Sequence, residues 1–463
     1  MVIATVAAIA AASTGRVGAA PPAAPAARVG PRGVIKHVVV IFQENHSFDE
    51  TLGAFCMIHK GRCNGYVGVV HMKDGSSARM TKSSDIVPSV WHDVRAQVTA
   101  MNGGKMNGWN AVFGCNPPSN RRNCLTYYTP EQIPNLTALA QHFALSDRTF
   151  SMFDSPSWGG HVYVAAASQD NFTGDSPYPA KGVKPGPGWG CDSKLVAAWR
   201  DPKSHRLSPQ PACIPARPGT LDPKKYPYNG PFRASPVRYI PTIFDRLDGA
   251  HLPWRLYSST QVFSVCPTFA ECAYGPQRRN LVSTYDVITD AQQNKLPAYS
   301  LVLPSGPGGT AQHNGHSMGR GDNWIGKVVN EIEHSRDWSS TAIFITYDDC
   351  GCFYDHVRPG KNPDGTQQGI RLPMVIVSPY AKRSYTDSHS ASLASILRFT
   401  EKTFGLKALN VNDAHAYDYA NAFNFGAKPT SARVQLRQYG IPAASLHYLA
   451  AHPVSEHDED DPT

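Results

Sequence analysis

HVVVIFQENHSFDETLGAF, residues 37 to 55, is the stretch that decides the fold. Residues 37–42 form an apolar, mainly β-branched run, which is typical of a strand buried on both faces of a sheet. The run leads directly into Glu44 and Asn45, and Ser47 with Glu50 then fits a capping box that begins a helix. Glu44 and Asn45 are therefore either ordinary turn residues or one side of a site at the carboxyl end of the strand.

Further strand patterns recur at residues 297–303, 341–347 and 373–379. Between the first two of these, the segment 322–335 carries apolar residues at helical spacing, and we expect Asp322 to cap its start. A second helical pattern ends at Gly405. Apolar strands that alternate with amphipathic helices predict an α/β fold, a three-layer α/β/α sandwich with a mainly parallel central sheet.

The composition is that of a globular protein of 463 residues, with 41% apolar residues, 17% charged residues and a net charge of +8. No run of Lys or Arg concentrates this charge, so we do not expect nucleic-acid binding. We place one catalytic domain at residues 34–425, with a loop-rich, Pro- and Gly-rich insertion at 176–236. Residues 1–33 are a leader, and residues 426–463 are a C-terminal extension with an acidic tail. The oligomeric state is not readable from the sequence.

The leader and the cysteines indicate export. Residues 2–12 form an apolar stretch that is shorter than the roughly 20 residues of a membrane span and resembles a signal-peptide core. Ten cysteines lie in close pairs, which favours local disulfides in an oxidising compartment, and the CxxC spacing of many zinc sites is missing. Pairing of Cys350 with Cys352 stays open because so small a ring is strained. The other pairs are Cys56/Cys63, Cys115/Cys124, Cys191/Cys213 and Cys266/Cys272.

Adjacent carboxylates end another strand pattern. Asp348 and Asp349 follow the apolar run AIFIT, and Asp355 and His356 come shortly after them. Neighbouring carboxylates at a buried strand end repel each other, and a cation relieves that repulsion. The alternative is that one of them caps a turn and the other is solvated. Because two strands end in oxygen ligands, we favour a divalent metal.

Two more segments carry reactive side chains. His313 and His316 lie three residues apart in a Gly-rich loop, and such a pair contacts a metal or an anionic oxygen, or lies at the surface. Ser157 precedes Gly159-Gly160, which permit close backbone approach, and His161 follows. A serine near a helix start is a candidate nucleophile, although serines are commonplace.

Taken together, these segments resemble the bacterial phospholipase C and acid phosphatase family of phosphoesterases, of the alkaline-phosphatase-like superfamily. The resemblance runs from about residue 34 to 406, and the family order is kept. The matching pieces are KHVVVIFQENHSFDETLG, NGGKMNGW, SPSWGGHVYVAAAS, HNGHSMGRGDNWIGKVVNEI, ITYDDCGCFYDHV and RLPMVIVSPYAK. One departure is that the family's usual Gly-Gly before FYDHV is Gly351-Cys352 here.

The resemblance implies a role for each candidate residue. Ser157 is the nucleophile that forms a phosphoserine intermediate, and His356 or His313 protonates the leaving alkoxide. His92, His161 and His316 bind the phosphate or the substrate. The metal ligands are Glu44, Asn45, Asp348, Asp349 and Ser157.

The sequence leaves several functions open. We expect an exported metal-dependent enzyme that acts on phosphate esters, phospholipase C-like, with transient contact at a membrane surface. Acid phosphatase activity and an inactive exported binding protein are the alternatives. A sulfatase is disfavoured because the CNPPS stretch at Cys115 lacks the arginine of the sulfatase motif. Four aromatic residues either face a quaternary ammonium headgroup or belong to the core, namely Trp109, Trp158, Tyr163 and Trp189.

Overall fold

A nine-stranded sheet forms the centre of the fold. The computed structural model describes residues 1, 30–115, 122–153, 157–174, 176–186, 188–222, 235–259, 265–431 and 433–453. The signal-like stretch 2–12 and the acidic end of the chain lie outside these ranges. The strands of the central sheet are β1 His37–Gln43, β2 Ala144–Met152, β3 Trp254–Tyr257, β4 Leu281–Val282, β5 Tyr299–Val302, β6 Thr341–Tyr347, β7 Gln368–Val377, β8 Tyr385–Asp387 and β9 Ala391–Ser392.

The strand order is β4-β3-β5-β1-β6-β7-β2-β8. The short strand β9 also pairs with β2, at residues that follow those paired with β8. All of these pairings are parallel except those of β7, which runs antiparallel to β6 and to β2. Every residue of β6 and of β7 is buried, so both faces of the sheet are covered. The predicted three-layer α/β fold with a mainly parallel sheet is confirmed.

The helices form two groups whose members contact one another. One group contains the helices Pro134–His142, Asp286–Gln292 and Met318–His334. The other contains Trp158–Ala166, Ile243–Gly249, Ala394–Phe404 and Val411–His415. Among the described residues, no helix has both the length and the apolar character needed to cross a bilayer. The helices are α1 Phe48–Ile58, α2 Val94–Met101, α3 Pro134–His142, α4 Trp158–Ala166, α5 Ile243–Gly249, α6 Ala270–Tyr274, α7 Asp286–Gln292, α8 Met318–His334, α9 Ala394–Phe404, α10 Val411–His415 and α11 Ala443–Ala451.

The start of α8 corrects one expectation. The helix begins at Met318, and its cap is Ser317, whose side chain accepts from the Arg320 N–H. The prediction that Asp322 caps this helix is wrong. Its carboxylate instead accepts the Asn135 and Leu136 N–H groups at 2.9 and 2.8 Å, so it caps the first turn of α3 from a neighbouring helix. By contrast, Ser47 caps α1 and Gly405 ends α9, as predicted.

The insertion at 176–236 contains more regular structure than a loop. A three-stranded antiparallel sheet joins Tyr178–Pro179, Leu195–Arg200 and Leu207–Pro211. Cys191 bonds Cys213 there, and the three other predicted disulfides are also present, Cys56–Cys63, Cys115–Cys124 and Cys266–Cys272. Cys350 and Cys352 are both buried free thiols.

A carboxyl pair between α9 and α10 makes stability depend on pH. Glu401 is 1% exposed, and burial beside the Asp413 carboxylate raises the pKa of Glu401 to about 9. The unfolded chain releases this proton near the ordinary pKa, whereas the folded chain retains it, so folding becomes less favourable as pH rises from about 4.5 to 9.

We expect Glu401→Gln to raise the free energy of unfolding by a margin that grows through this pH window. The margin should grow by at most about 1.4 kcal/mol for each pH unit. Thermal unfolding of the wild type and the variant at pH 5, 7 and 9 measures the margin. The control is Glu331→Gln, at a partly exposed glutamate that accepts from Gln292 and has no carboxylate partner among the described residues, and it should show no such trend. A Glu401→Gln margin that is constant with pH would contradict the assignment.

Candidate active site

The two polar strand ends meet at the carboxyl edge of the sheet. Neighbouring parallel strands β1 and β6 pair in register up to Gln43 opposite Tyr347, so the residues that follow them lie side by side. The Asn45 N–H donates to Asp348 Oδ1 at 2.8 Å, and the Asp348 N–H donates to the Gln43 carbonyl at 3.0 Å. The segments predicted to share a site are therefore in direct contact.

Ser157 lies against the same strand end. It precedes α4, and its backbone N–H and its hydroxyl donate to Asp349 Oδ2 at 2.7 and 2.9 Å. Its φ of 42° is sparsely populated for a residue with a side chain, so the fold holds this serine in a strained position. At Gly160, an added Cβ would lie 2.7 Å from the Asp348 carbonyl oxygen. The glycine therefore permits the close approach of α4 to β6.

The Asn45 side chain lies between His313 and Asp349, and the orientation of its amide decides which group faces each of them. We call Asn45, Asp349 and Ser157 the centre of the site. His313 Nδ1 lies 3.2 Å from the Asn314 carbonyl, which only accepts, so the ring proton is on Nδ1 and Nε2 carries a lone pair. We therefore assign the amide nitrogen of Asn45 to the position 2.9 Å from Nε2, where it donates to that lone pair. The amide oxygen faces both Asp349 carboxylate oxygens at 3.2 Å. The opposite amide orientation would satisfy Asp349, but it would require the proton on Nε2 and would turn the Nδ1 lone pair toward a carbonyl.

Glu44 and Asp348 form a pair of acidic side chains beside this centre. His161 Nε2 is 3.3 Å from Glu44 Oε1 and 3.9 Å from Asp348 Oδ2, and all three side chains are almost fully buried. Burial and the charges of Glu44 and Asp349 raise the pKa of Asp348 well above its usual range. Among the described residues, none donates a hydrogen bond to Asp348 Oδ2. Buried ligand atoms of Glu44, His161 and Asp348 that converge in this way fit a divalent cation.

Three buried histidines line the other side of Asn45. The ring centroid of His313 lies 6.0 Å from that of His92 and 5.7 Å from that of His316. Burial and these two neighbours lower the pKa of His313 well below its ordinary value, so the ring is neutral. The structure thus brings His92, His313 and His316 together, whereas His161 lies with the carboxylates.

His356 belongs to a separate network. Its Nδ1 bonds Asp49 Oδ2 at 2.5 Å and its Nε2 lies 3.0 Å from Asn64 Oδ1. Burial alone would lower the pKa of His356, but the hydrogen bond to Asp49 and the charges of Asp49 and Asp355 outweigh it and raise the pKa. Arg371 bonds both carboxylates at 3.0 Å. His356 therefore lies in a network with Asp49, Asn64 and Arg371, apart from the three histidines that line Asn45.

Sequence reasoning missed the residues that hold the histidine loop. Gln43 Nε2 donates to the Thr310 carbonyl at 3.0 Å, and the Gln312 N–H donates to Gln43 Oε1 at 3.1 Å. His46 Nε2 lies 2.9 Å from the Gln312 carbonyl, and its Nδ1 lies 2.6 Å from Glu50. The polar residues flanking Glu44 and Asn45 were the available signal, but the sequence does not show which distant loop they bind.

Comparison with known proteins places this geometry in a family. The model of the Phosphoesterase family matches residues 35–407. The chain belongs to the phosphoesterase family. It is 25% identical to non-specific phospholipase C1 of Arabidopsis thaliana, over 86% of this chain and 72% of that protein. It is 23% identical to the non-hemolytic phospholipase C of Pseudomonas aeruginosa, over 84% of this chain and 57% of that protein.

Among solved structures, the phosphoesterase chain is similar to a protein of the alkaline phosphatase superfamily from Vibrio parahaemolyticus. The TM-score is 0.36 and the identity is 13%, over 84% of this chain and 70% of that one. The family match confirms the resemblance drawn from the sequence motifs and the expectation of a phosphoric ester hydrolase.

Gly351, in the motif ITYDDCGCFYDHV, has no room for a side chain. Gly351 has a φ of 53°, its N–H donates to Asp349 Oδ1 at 2.7 Å, and an added Cβ would lie 2.2 Å from the Asn45 carbonyl oxygen. We expect Gly351→Ala to displace Asn45 and to lower activity about a hundredfold or more, because misplacement by about 1 Å costs that much. The control is Gly365→Ala, which has a φ of 86° and open space around its Cβ. Equal activity of the two variants would contradict this reading.

Proposed function

We propose that this chain is an exported, metal-dependent phosphoesterase of the phospholipase C type, with Ser157 as its nucleophile. One observation carries the proposal: the Ser157 hydroxyl donates to Asp349, whose carboxylate faces the Asn45 amide oxygen across a buried set of acceptors. A hydroxyl held among converging oxygens is the arrangement that phosphoryl transfer to a serine requires. The names of the relatives support the substrate class.

The residues present fit a divalent cation. Glu44, Asn45, Asp348, Asp349 and Ser157 would hold it, and their donors are all oxygen. When bound, such an ion lowers the pKa of a hydroxyl and neutralises a phosphate oxygen. Oxygen donors suit calcium, magnesium or manganese, and a His161 ligand would favour zinc, iron or manganese.

The chain's own residues prepare the attack. Asp349 fixes the Ser157 hydroxyl and accepts its proton as Oγ bonds to phosphorus and the bond to the leaving alkoxide breaks. The product is a phosphoryl ester of Ser157, which water then hydrolyses. We assign protonation of the alkoxide to His313, because an anionic phosphate near the ring favours the imidazolium form. His92 and His316, packed against His313, would contact the phosphate oxygens.

The ratio of two activities tests the substrate assignment. A phosphodiesterase should hydrolyse p-nitrophenylphosphorylcholine at least about tenfold more efficiently than p-nitrophenyl phosphate, because a site built for a diester forms contacts to the second ester group. A preference for the monoester would instead identify an acid phosphatase. If neither substrate is hydrolysed with any of the divalent metals, the proposal is overturned, and an inactive binding protein is the remaining alternative.

Export is supported by the four disulfides outside the site. We place the catalytic domain at residues 34–425, which contains the whole family match, and residues 1–33 as the leader. Expression with and without residues 1–33 tests this, since only the longer form should be found outside the cytoplasm. Equal distribution of both forms would contradict export by this leader.

A further inference from the structure

Two exposed aromatic side chains lie on segments that are joined to the histidine loop. The four aromatic residues considered for a headgroup contact are 0 to 2% exposed and belong to the core. Trp91 and Phe113, by contrast, are 41% and 56% exposed. Their ring centroids are 5.2 Å apart, and the Trp91 N–H donates to the Phe113 carbonyl at 3.2 Å. We call these two residues the aromatic rim.

The aromatic rim is connected directly to the histidine group. Trp91 precedes His92, whose ring lies 6.0 Å from His313. The Asn314 side chain donates to the Val90 carbonyl at 3.1 Å, so the segment carrying Trp91 is fastened to the histidine loop. Phe113 lies two residues before Cys115, and the bond to Cys124 closes its loop. The backbone segments that carry the rim are therefore held to the histidine loop.

Two exposed arginines lie close to the rim in sequence. Arg95 is exposed on the first turn of α2, and Val98, on the same helix face, is 47% exposed. Arg122 is exposed too, and the next residue, Asn123, donates to the Ser89 and Gly114 carbonyls, each at 2.9 Å. Asp93 is the acidic residue nearest in sequence, and its carboxylate caps α2. The exposed charged residues nearest the rim in sequence are thus positive.

The size and chemistry of this surface favour a lipid bilayer over a protein. Trp91, Phe113 and Val98 together expose on the order of 300 Å², judged from typical side-chain areas, whereas a stable protein interface takes roughly 800 Å² per partner. Trp and Phe insert well at the boundary between headgroups and acyl chains, and arginines beside them attract anionic phosphates.

We propose that the aromatic rim inserts into a phospholipid surface while Arg95 and Arg122 contact its phosphates, which brings headgroups to the centre around Ser157. The consequence for hydrolysis rests on the proposed function, whereas insertion itself does not. Hydrolysis of lipid in vesicles should depend on the rim, and hydrolysis of a small soluble diester should not.

The test uses the double variant Trp91→Ala/Phe113→Ala in the full chain. On vesicles of phosphatidylcholine with a minor fraction of phosphatidylglycerol, we expect binding to weaken about tenfold or more, measured by cosedimentation in a Ser157→Ala background that leaves the lipid intact. Activity on vesicles should fall by a similar factor through the apparent KM. Activity on p-nitrophenylphosphorylcholine should stay within about twofold. Arg95→Glu/Arg122→Glu should weaken binding most on the anionic vesicles.

Controls separate the alternatives. Tyr178→Ala/Leu207→Ala removes side chains that are 47% and 58% exposed on the insertion sheet, and it should leave vesicle binding unchanged. Unchanged binding by the rim variant, or an equal loss of soluble-diester activity, would overturn the proposal. If the wild type is a dimer in the absence of lipid and the rim variant is a monomer, the rim is a contact between copies of the chain, and the proposal is overturned. If the wild type hydrolyses no substrate, the proposed function fails, but vesicle binding still decides whether the rim inserts.

Discussion

Ser157→Ala is expected to lower hydrolysis of p-nitrophenylphosphorylcholine by about a thousandfold or more, because it removes the hydroxyl that forms the covalent bond to phosphorus in the proposed mechanism. The backbone N–H of residue 157 still donates to Asp349 in this variant, so the start of α4 and the fold should be retained. Steady-state rates and thermal unfolding measured on the same preparation separate loss of chemistry from loss of structure.

Two matched variants sharpen this result. Ser157→Thr keeps a hydroxyl at the same position and should retain measurable activity, because a threonine hydroxyl can form the same bond to phosphorus. Ser339→Ala removes an exposed hydroxyl that bonds only a nearby carbonyl among the described residues, and it should leave the rate unchanged. Near wild-type activity in Ser157→Ala would remove Ser157 as the nucleophile.

Asp348→Asn is expected to change activity and stability in opposite directions. Burial and two neighbouring carboxylates raise the pKa of Asp348, so its ionised form destabilises the metal-free protein. Neutralising it should raise the unfolding free energy of metal-free protein by about 1 kcal/mol or more. The same change weakens cation binding, and activity should fall about a hundredfold or more.

The readout is thermal unfolding with and without divalent metal. Wild-type Tm should rise when metal is added, and the Tm of Asp348→Asn should start higher and respond less. Asp349→Asn is the matched comparison, because Asp349 already accepts hydrogen bonds from Ser157 and from Gly351, and its neutralisation should not stabilise the protein. Asp74→Asn changes an exposed carboxylate that bonds Ser76, and it should leave the rise of Tm with metal the same as in the wild type. An Asp348→Asn variant less stable than the metal-free wild type would count against the account.

The central strands and the polar residues at their ends could be predicted because both follow from local pattern. Residues 37–42 and 341–347 are continuous apolar runs, and parallel neighbours align their carboxyl ends. Glu44, Asn45, Asp348 and Asp349 were therefore expected to meet, and the structure brings them together. Ser157 came from the family motif, since nothing in its local pattern distinguishes it from other serines.

What could not be predicted depends on contacts between distant segments. Asp322 fits the pattern of a cap for its own helix, but it caps α3, and its partner Asn135 is 187 residues away. The strand 368–377 has the composition of a parallel core strand, and its antiparallel direction is set by pairing with β6 and β2. His356 follows the metal-ligand run in sequence, yet Asp49 and Arg371 hold it in another network.

The most direct measurement is hydrolysis of p-nitrophenylphosphorylcholine by protein stripped with a chelator, before and after each divalent metal is returned. The account predicts that stripped protein is inactive, that at least one metal restores the rate, and that Asp348→Asn and Ser157→Ala are not restored. Full activity in protein shown to be metal-free would contradict it.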